Sequence, residues 1–225
     1  MRTRKAKKHK LFTEDFIRKR LTVKNYDTYL DKNFYHGEDP FKLPADDDWD
    51  PATGSCSMHS SFTIEILGGK LTDAIRQYKG FKEVTEANIE AILKKLDSGS
   101  IIEFIHQYRN KSLIESLPRN NVYASHDFCL VKGGSKYFLS QGFQHVYKQR
   151  LNTYTADEVR KMLRDIVLYL CDPRSIKKWK DLDLKYYNTY FKSDFTVGKM
   201  DLLQVKPEKK VNGIILEYAE IQVKP

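Results

Sequence analysis

Hydrophobic residues recur every three or four positions in two long segments, and this spacing predicts helices. Thr85 and Thr155 stand where a helix N-cap is expected, and Glu158 completes a capping box with Thr155. The predicted buried stripes are Ile89, Ile92, Leu93 and Leu96 in the first helix and Val159, Leu163, Ile166 and Leu170 in the second. Shorter helices are predicted from Thr13 to about Leu21 and from Leu71 to Tyr78.

Other segments are rich in β-branched and aromatic residues, which predicts strands. They are 101–108, 123–132, 136–146, and a terminal hairpin of 200–205 with 214–223. Gly133-Gly134-Ser135 separates the second and third of these and is typical of a hairpin turn. Helices combined with hairpin-linked strands indicate an α+β fold with an antiparallel sheet.

A long loop rich in turn residues spans His36 to Gly54 and ends at Ser55-Cys56-Ser57. A helix is predicted from there to Leu67, where Gly68-Gly69 ends it. Cys56 is expected in the first turn of this helix. A thiol in that position is stabilised as thiolate by the helix dipole and by unpaired backbone N–H groups.

The turn geometry predicts which strand residues face each other. With Gly133-Gly134 as a two-residue turn, Lys132 faces Ser135 and His126 faces Gln141, whereas a three-residue loop would shift the register by one. The Gln141 amide oxygen would accept an imidazole N–H and leave the other ring nitrogen of His126 as a base. Cys56 is the nucleophile that such a base would serve.

These residues occur in an order that resembles the papain-like cysteine hydrolase superfamily. Gly54-Ser55-Cys56-Ser57 starts a helix, Ser125-His126-Asp127-Phe128 opens one strand, and Leu139-Ser140-Gln141-Gly142 lies on the next. The superfamily includes peptidases, transglutaminase-like enzymes and the glutamine deamidase domains of bacterial toxins and effectors. The resemblance covers roughly residues 49–147.

The resemblance implies a helical part carrying Cys56, packed on an antiparallel sheet carrying His126. It implies Cys56 as nucleophile, His126 as general base and Gln141 as the residue that orients the imidazole. The chain departs from the family in two places: the third position is usually Asp or Asn, and Asp50 stands near the place where papain has an oxyanion-hole Gln. The implied reaction is hydrolysis of an amide, whether a peptide bond, an isopeptide bond or a glutamine side chain.

Charge is concentrated at the N-terminus. The chain of 225 residues has a net charge of +9, and residues 1–24 hold ten basic and two acidic side chains, so the rest of the chain is nearly neutral. This predicts a basic N-terminal arm of residues 1–24 that contacts nucleic acid or an acidic surface. Residues 25–225 are predicted as one papain-like domain, with a core at about 49–172 and a C-terminal helix and hairpin extension at 173–225.

Two other readings of the same residues lead to different classes of protein. Cys56, His59, His126 and Cys129 have zinc-ligand spacings, but positions 126 and 129 point to opposite faces of a strand, so neither a metal nor another cofactor is predicted. The alternative to an enzyme is a binding protein of the same fold that uses the basic arm and a Lys- and Tyr-rich tail. No phosphate-binding glycine loop is present.

The chain carries no signal-peptide pattern and no apolar run of transmembrane length. Its three cysteines are an odd number at wide spacing, which favours thiols in a reducing compartment. We therefore expect an intracellular protein, cytoplasmic or nuclear, whose substrate is a protein or peptide.

Overall fold

A computed structural model describes residues 11–35, 51–76, 78–108, 125–141, 151–170 and 214–223. These residues combine helices with one antiparallel sheet, which confirms the predicted α+β class. Within them, no helix is both long and apolar enough to cross a membrane.

The sheet has six strands in the order β1-β6-β2-β3-β4-β5, and every neighbouring pair is antiparallel. The strands are β1 Lys82–Glu83, β2 Ile101–Tyr108, β3 Ser125–Gly133, β4 Lys136–Gln141, β5 Asn152–Tyr154 and β6 Ile214–Ile221. Strand β2 lies where the sequence predicts it, while the short edge strands β1 and β5 carry too few residues for a recognisable pattern.

Helices cover both faces of the sheet. They are α1 Glu14–Arg20, α2 Val23–Leu30, α3 Pro51–Ile66, α4 Asp73–Arg76, α5 Ile89–Asp97 and α6 Ala156–Asp165. A π-helical turn follows α2 at Asp31–Tyr35 and another follows α6 at Ile166–Leu170. The predicted caps are present, because Thr13 accepts from the Phe16 amide and Thr155 and Glu158 form a capping box. The predicted helix 71–78 is reduced to α4.

The two faces of the sheet have separate cores. On one face, which we call the α5 face, the apolar sides of α5 and α6 pack on Phe128, Leu139 and their neighbours. On the other, the α3 face, α1 and α3 pack on Cys129, Val131 and Phe138. Successive strand residues alternate between the two faces, so whether a residue contacts α3 or α5 depends on its position in this alternation, which we call its strand parity.

The predicted register of the β3–β4 hairpin is wrong by two residues. Gly133 pairs with Lys136 and Phe128 pairs with Gln141, so the turn consists of Gly134 and Ser135. Gly134 takes the left-handed backbone, with φ of +61°, that such a turn requires. Gln141 therefore does not lie opposite His126. Because the shift is two residues, positions 126 and 141 still share one face of the sheet.

Helix α3 begins earlier than predicted. It starts at Pro51, a residue suited to the first helical position, so Cys56 lies in the second turn and not in the first. The backbone amides left unpaired at the start of α3 therefore precede Cys56. The end of α3 is as predicted: Gly68 has φ of +88°, and the Gly69 amide donates to the Ile64 carbonyl oxygen at 2.8 Å.

The C-terminal strand is part of the sheet and not an added layer. Strand β6 lies between β1 and β2 and pairs with β2 along its whole length, from Ile101–Ile221 to Tyr108–Ile214. The predicted extension at 173–225 therefore supplies an interior strand. Its expected hairpin partner, residues 200–205, lies outside the described residues.

The basic N-terminal segment is folded onto the hairpin from Phe12 onward. Ile17 of α1 is fully buried, Phe12 forms a bridge with Gly133, and the Gly134 amide donates to the Phe12 carbonyl oxygen at 3.1 Å. Arg18 lies over the Phe138 ring at 5.2 Å. This part of the predicted arm 1–24 is thus continuous with the domain, and residues 1–10 lie outside the described residues.

Replacing Gly133 should destabilise the protein because α1 lies so close to it. A Cβ built at this position would lie 2.5 Å from Ile17 Cδ1 and 3.1 Å from Phe138 Cε2. We expect Gly133→Ala to lower the free energy of unfolding by about 1–3 kcal/mol, measured by urea denaturation. Gly134→Asn is the matched control, since nothing lies within 4 Å of its Cβ and Asn tolerates a positive φ. Equal stability of the two variants would contradict the account.

Candidate functional site

Helix α3 faces the sheet with small and polar side chains. The Thr63 and Ser140 hydroxyls lie 2.8 Å apart, and the Cys129 thiol donates to the Ser60 carbonyl oxygen over 3.9 Å. Cys56 lies on the same helix one turn before Ser60. Because these side chains are short, the backbone of α3 comes close to β3 and β4.

This packing brings Cys56 to the beginning of β3. Cys56 is half-buried and forms a hydrogen bond with the backbone of Asp127, the residue next to His126. Burial, followed by the negative charge of Asp127, raises the pKa of the Cys56 thiol to about 12. Backbone hydrogen bonds with Asp127, Ser57 and Cys56 itself act in the opposite direction.

Two carboxyl groups are buried beside this thiol on the α3 face. Asp127 is 0% exposed and Glu103 of β2 is 3% exposed, and each has one oxygen, Oδ1 and Oε2 respectively, without a hydrogen-bond partner among the described residues. In the β2–β3 ladder Asp127 pairs with Ile105 and Glu103 pairs with Cys129, so the two carboxyl groups are diagonal neighbours.

The carboxyl pair holds its protons to unusually high pH. Burial raises the pKa of Glu103 to about 8, with the charge of Asp127 as the second cause. Burial also raises the pKa of Asp127 to about 7, while a hydrogen bond from Tyr78 works against this. Buried carboxyl groups take up a proton when no cation compensates their charge.

Tyr78, in the turn after α4, contacts one of these two buried carboxyl groups. Its hydroxyl donates to Asp127 Oδ2 at 2.5 Å, and burial followed by the charge of Asp127 raises its pKa. Its backbone has φ of +50°, a strained conformation for a residue other than glycine. The Phe81 ring packs edge-on against it at 5.4 Å. A strained residue held by one buried carboxylate indicates a defined role for this contact.

The structure describes the side chains of two members of the predicted triad, Cys56 and Gln141. It brings Cys56 to the β3 residue adjacent to His126, whose Cα pairs with that of His106; the His126 side chain lies outside the described residues. Gln141 is fully buried and pairs with Phe128, on the α5 face and thus across the sheet from Cys56. The expected direct pairing of His126 with Gln141 is therefore wrong.

Sequence reasoning missed Asp127, Glu103 and Tyr78. A signal existed for the first two, because each carboxylate stands inside an otherwise apolar strand: Glu103 in Ile-Ile-Glu-Phe-Ile and Asp127 directly before Phe-Cys-Leu-Val. An acidic residue in an interior strand is a candidate functional group. Nothing in the sequence links Tyr78 to them.

The residues considered for zinc have other contacts. Cys129 donates to Ser60, and the His59 ring packs against Tyr26 and Phe62 with centroids 4.8 and 5.7 Å away. Across the described ranges, no group of three His, Cys, Asp or Glu side chains has the arrangement of a metal site.

Comparison with known proteins gave no match to a family model, to a curated protein or to a solved structure.

The carboxyl pair should make folding stability depend on pH. Both groups have a higher pKa in the folded protein than the ordinary 4.5 and 3.8, so the folded state binds more protons. Their contribution is fully present at low pH and is lost as pH rises through about 7 to 8. We expect Glu103→Gln to lessen the fall in unfolding free energy between about pH 5 and pH 8, measured by urea denaturation. A pH dependence identical to that of the unsubstituted protein would show that Glu103 titrates normally.

Proposed function

We propose that the protein is a cysteine hydrolase that acts on an amide bond, with Cys56 as nucleophile and His126 as general base. The observation that carries this proposal is the hydrogen bond between Cys56 and the backbone of Asp127, since it joins the helix of the thiol to the strand residue next to His126. The two residues come from distant parts of the sequence, as the papain-like resemblance implies.

The role of His126 follows from the surroundings of the thiol. Burial and the charge of Asp127 both disfavour a thiolate at Cys56, so a cationic imidazolium beside it is what would allow the thiolate to form. Position 126 has the strand parity of Phe128 and Gln141, which face α5, so the proposal requires the ring of His126 to turn around the start of β3 to reach Cys56 on the α3 face. Gln141, a diagonal neighbour in the ladder, would then orient the imidazole from the side away from the nucleophile.

The reaction then proceeds in two steps. The Cys56 sulfur, its proton passed to His126, attacks the amide carbonyl carbon, and the imidazolium protonates the leaving amine as the C–N bond breaks. Water, deprotonated by His126, then attacks the thioester and releases the acid and the thiol. Backbone amides near the sulfur are the type of donor that stabilises the oxyanion.

Removal of the nucleophile or the base tests this proposal. Cys56→Ser and His126→Ala should each lower the rate of amide hydrolysis on the order of a thousandfold or more, and Gln141→Ala should lower it less. The assay would use a short peptide, an isopeptide-linked lysine peptide and a glutamine-containing peptide. Mass spectrometry would detect chain cleavage, and an ammonia assay would detect deamidation.

Cys129→Ala is the matched control for this experiment, because it removes the buried thiol of β3 and leaves Cys56 in place. We expect it to retain hydrolysis. Loss of activity with Cys129→Ala but not with Cys56→Ser would overturn the assignment of the nucleophile.

A second candidate function, binding of a polyanion, rests on the exposed cations at the N-terminus. Lys19 and Lys24 are exposed in the segment whose charge is strongly positive. We expect affinity for a short fluorescein-labelled DNA duplex to fall steeply with salt, and Lys19→Gln with Lys24→Gln to reduce that salt dependence, measured by fluorescence anisotropy. Binding that is independent of salt would argue against this function.

A further inference from the structure

Four ionisable side chains from four separate elements meet between α3 and the sheet. Cys56 comes from α3, Tyr78 from the turn after α4, Glu103 from β2 and Asp127 from β3. Asp127 is the centre, since it contacts Tyr78 through its carboxylate and Cys56 through its backbone, and its charge acts on Glu103. We call these four residues the Asp127 cluster.

The described residues around the Asp127 cluster supply no compensating cation. Besides burial, the charge of Asp127 raises the pKa of Glu103 and a hydrogen bond from Tyr78 lowers that of Asp127, and neither carboxylate forms an ion pair within the described ranges. The other titratable groups on this face include Cys129 beside Glu103, His59 on α3, Glu65 of α3 with Arg76 of α4 as its ion-pair partner at 3.9 Å, and two acidic residues of the sheet. The acidic residues are Glu217 of β6, which pairs with Ile105, and Glu83 of β1, which pairs with Glu217.

We propose that Asp127, held by Tyr78 and coupled to Glu103, is a positioning residue that keeps the Cys56 thiol protonated, so that the protonation of this buried pair regulates the reactivity of the thiol. The regulatory meaning rests on the proposed hydrolase function. The interaction itself concerns only the thiol and can be measured without a substrate.

The mechanism is repulsion between like charges in a poorly solvated layer. While Asp127 is ionised, a thiolate at Cys56 adds a second negative charge nearby, which raises the energy of that state. When the carboxyl takes up a proton, this repulsion disappears. Glu103 lies one step further away: burial and the charge of Asp127 raise its pKa to about 8, so it loses its proton after Asp127.

Asp127→Asn isolates this effect, because it removes the charge and preserves the shape. We expect the pH at which Cys56 becomes reactive to iodoacetamide to fall by about one unit. At about pH 8 the thiolate fraction then rises about tenfold, and the lower nucleophilicity of the less basic thiolate leaves a net rate increase of about threefold. Mass spectrometry of the Cys56 peptide separates this labelling from that of the other cysteines.

Two further variants, a second test and a control, allow the inference to be decided even if Asp127→Asn folds poorly. Tyr78→Phe should shift the profile in the same direction by less, because Asp127 then keeps its proton to higher pH. Asp97→Asn is the matched control: its carboxylate binds Lys132 and Tyr137, away from Cys56, so the profile should not move. Circular dichroism would verify folding of each variant.

An unchanged or upward-shifted profile in folded Asp127→Asn would overturn the inference. If His126→Ala also abolishes hydrolysis, the proposed function stands without this regulation. If the profile shifts downward while Cys56→Ser leaves hydrolysis intact, the coupling of Asp127 to the thiol stands and the proposed function fails.

Discussion

The close approach of α3 to strands β3 and β4 is the contact on which the site depends. Short side chains on both partners, among them Ser60 and Thr63 on the helix and Cys129 and Ser140 on the strands, let the two backbones come near each other. Larger apolar residues would separate them and move Cys56 away from the start of β3. The fold thus accepts hydroxyl and thiol groups in a buried layer, where Thr63, Ser140 and Cys129 have hydrogen-bond partners and the Ser60 hydroxyl has none among the described residues.

The same layer creates the electrostatics of the site. Asp127 and Glu103 face α3 because of their strand parity, and the helix shields them from water. Burial lets each carboxyl retain a proton to near-neutral pH, and burial together with the charge of ionised Asp127 makes the neighbouring thiol harder to ionise. In such a site the protein is more stable while the two carboxyl groups are protonated. Ionisation of the Cys56 thiol then depends on a positive charge supplied by a neighbouring residue or from outside the protein.

The sequence predicted the elements whose hydrophobic spacing is long and regular. Helix α5, strand β2 and the capped helix α6 lie where the pattern indicates, because local periodicity matches their burial. The hairpin register could not be predicted from turn propensity, since Gly133 has a tertiary role. It allows α1 to pack against the strand, while Gly134 makes the turn.

The residues of the candidate site could be predicted only in part, again because long-range packing determines which of them come together. The cysteine was recognisable from its helix and loop, although α3 starts one turn sooner than the pattern suggests. Which strand residues accompany it depends on the register and on the face that α3 covers, both of which are set by long-range packing. Tyr78 reaches the site through a strained turn after α4, a conformation that no local pattern of polar and apolar residues encodes.

The central claim is that Cys56 lies against the first residues of β3, and a disulfide test measures this most directly. In the variant Asp127→Cys, whose side chain faces α3, mild oxidation followed by mass spectrometry should reveal a bridge between Cys56 and the introduced thiol, which requires Cβ atoms about 3.5–4.5 Å apart. The same substitution at Gln141, across the sheet, should give no bridge to Cys56. A Cys56 that stays reduced in the first variant, or that bridges equally well in the second, would contradict the account.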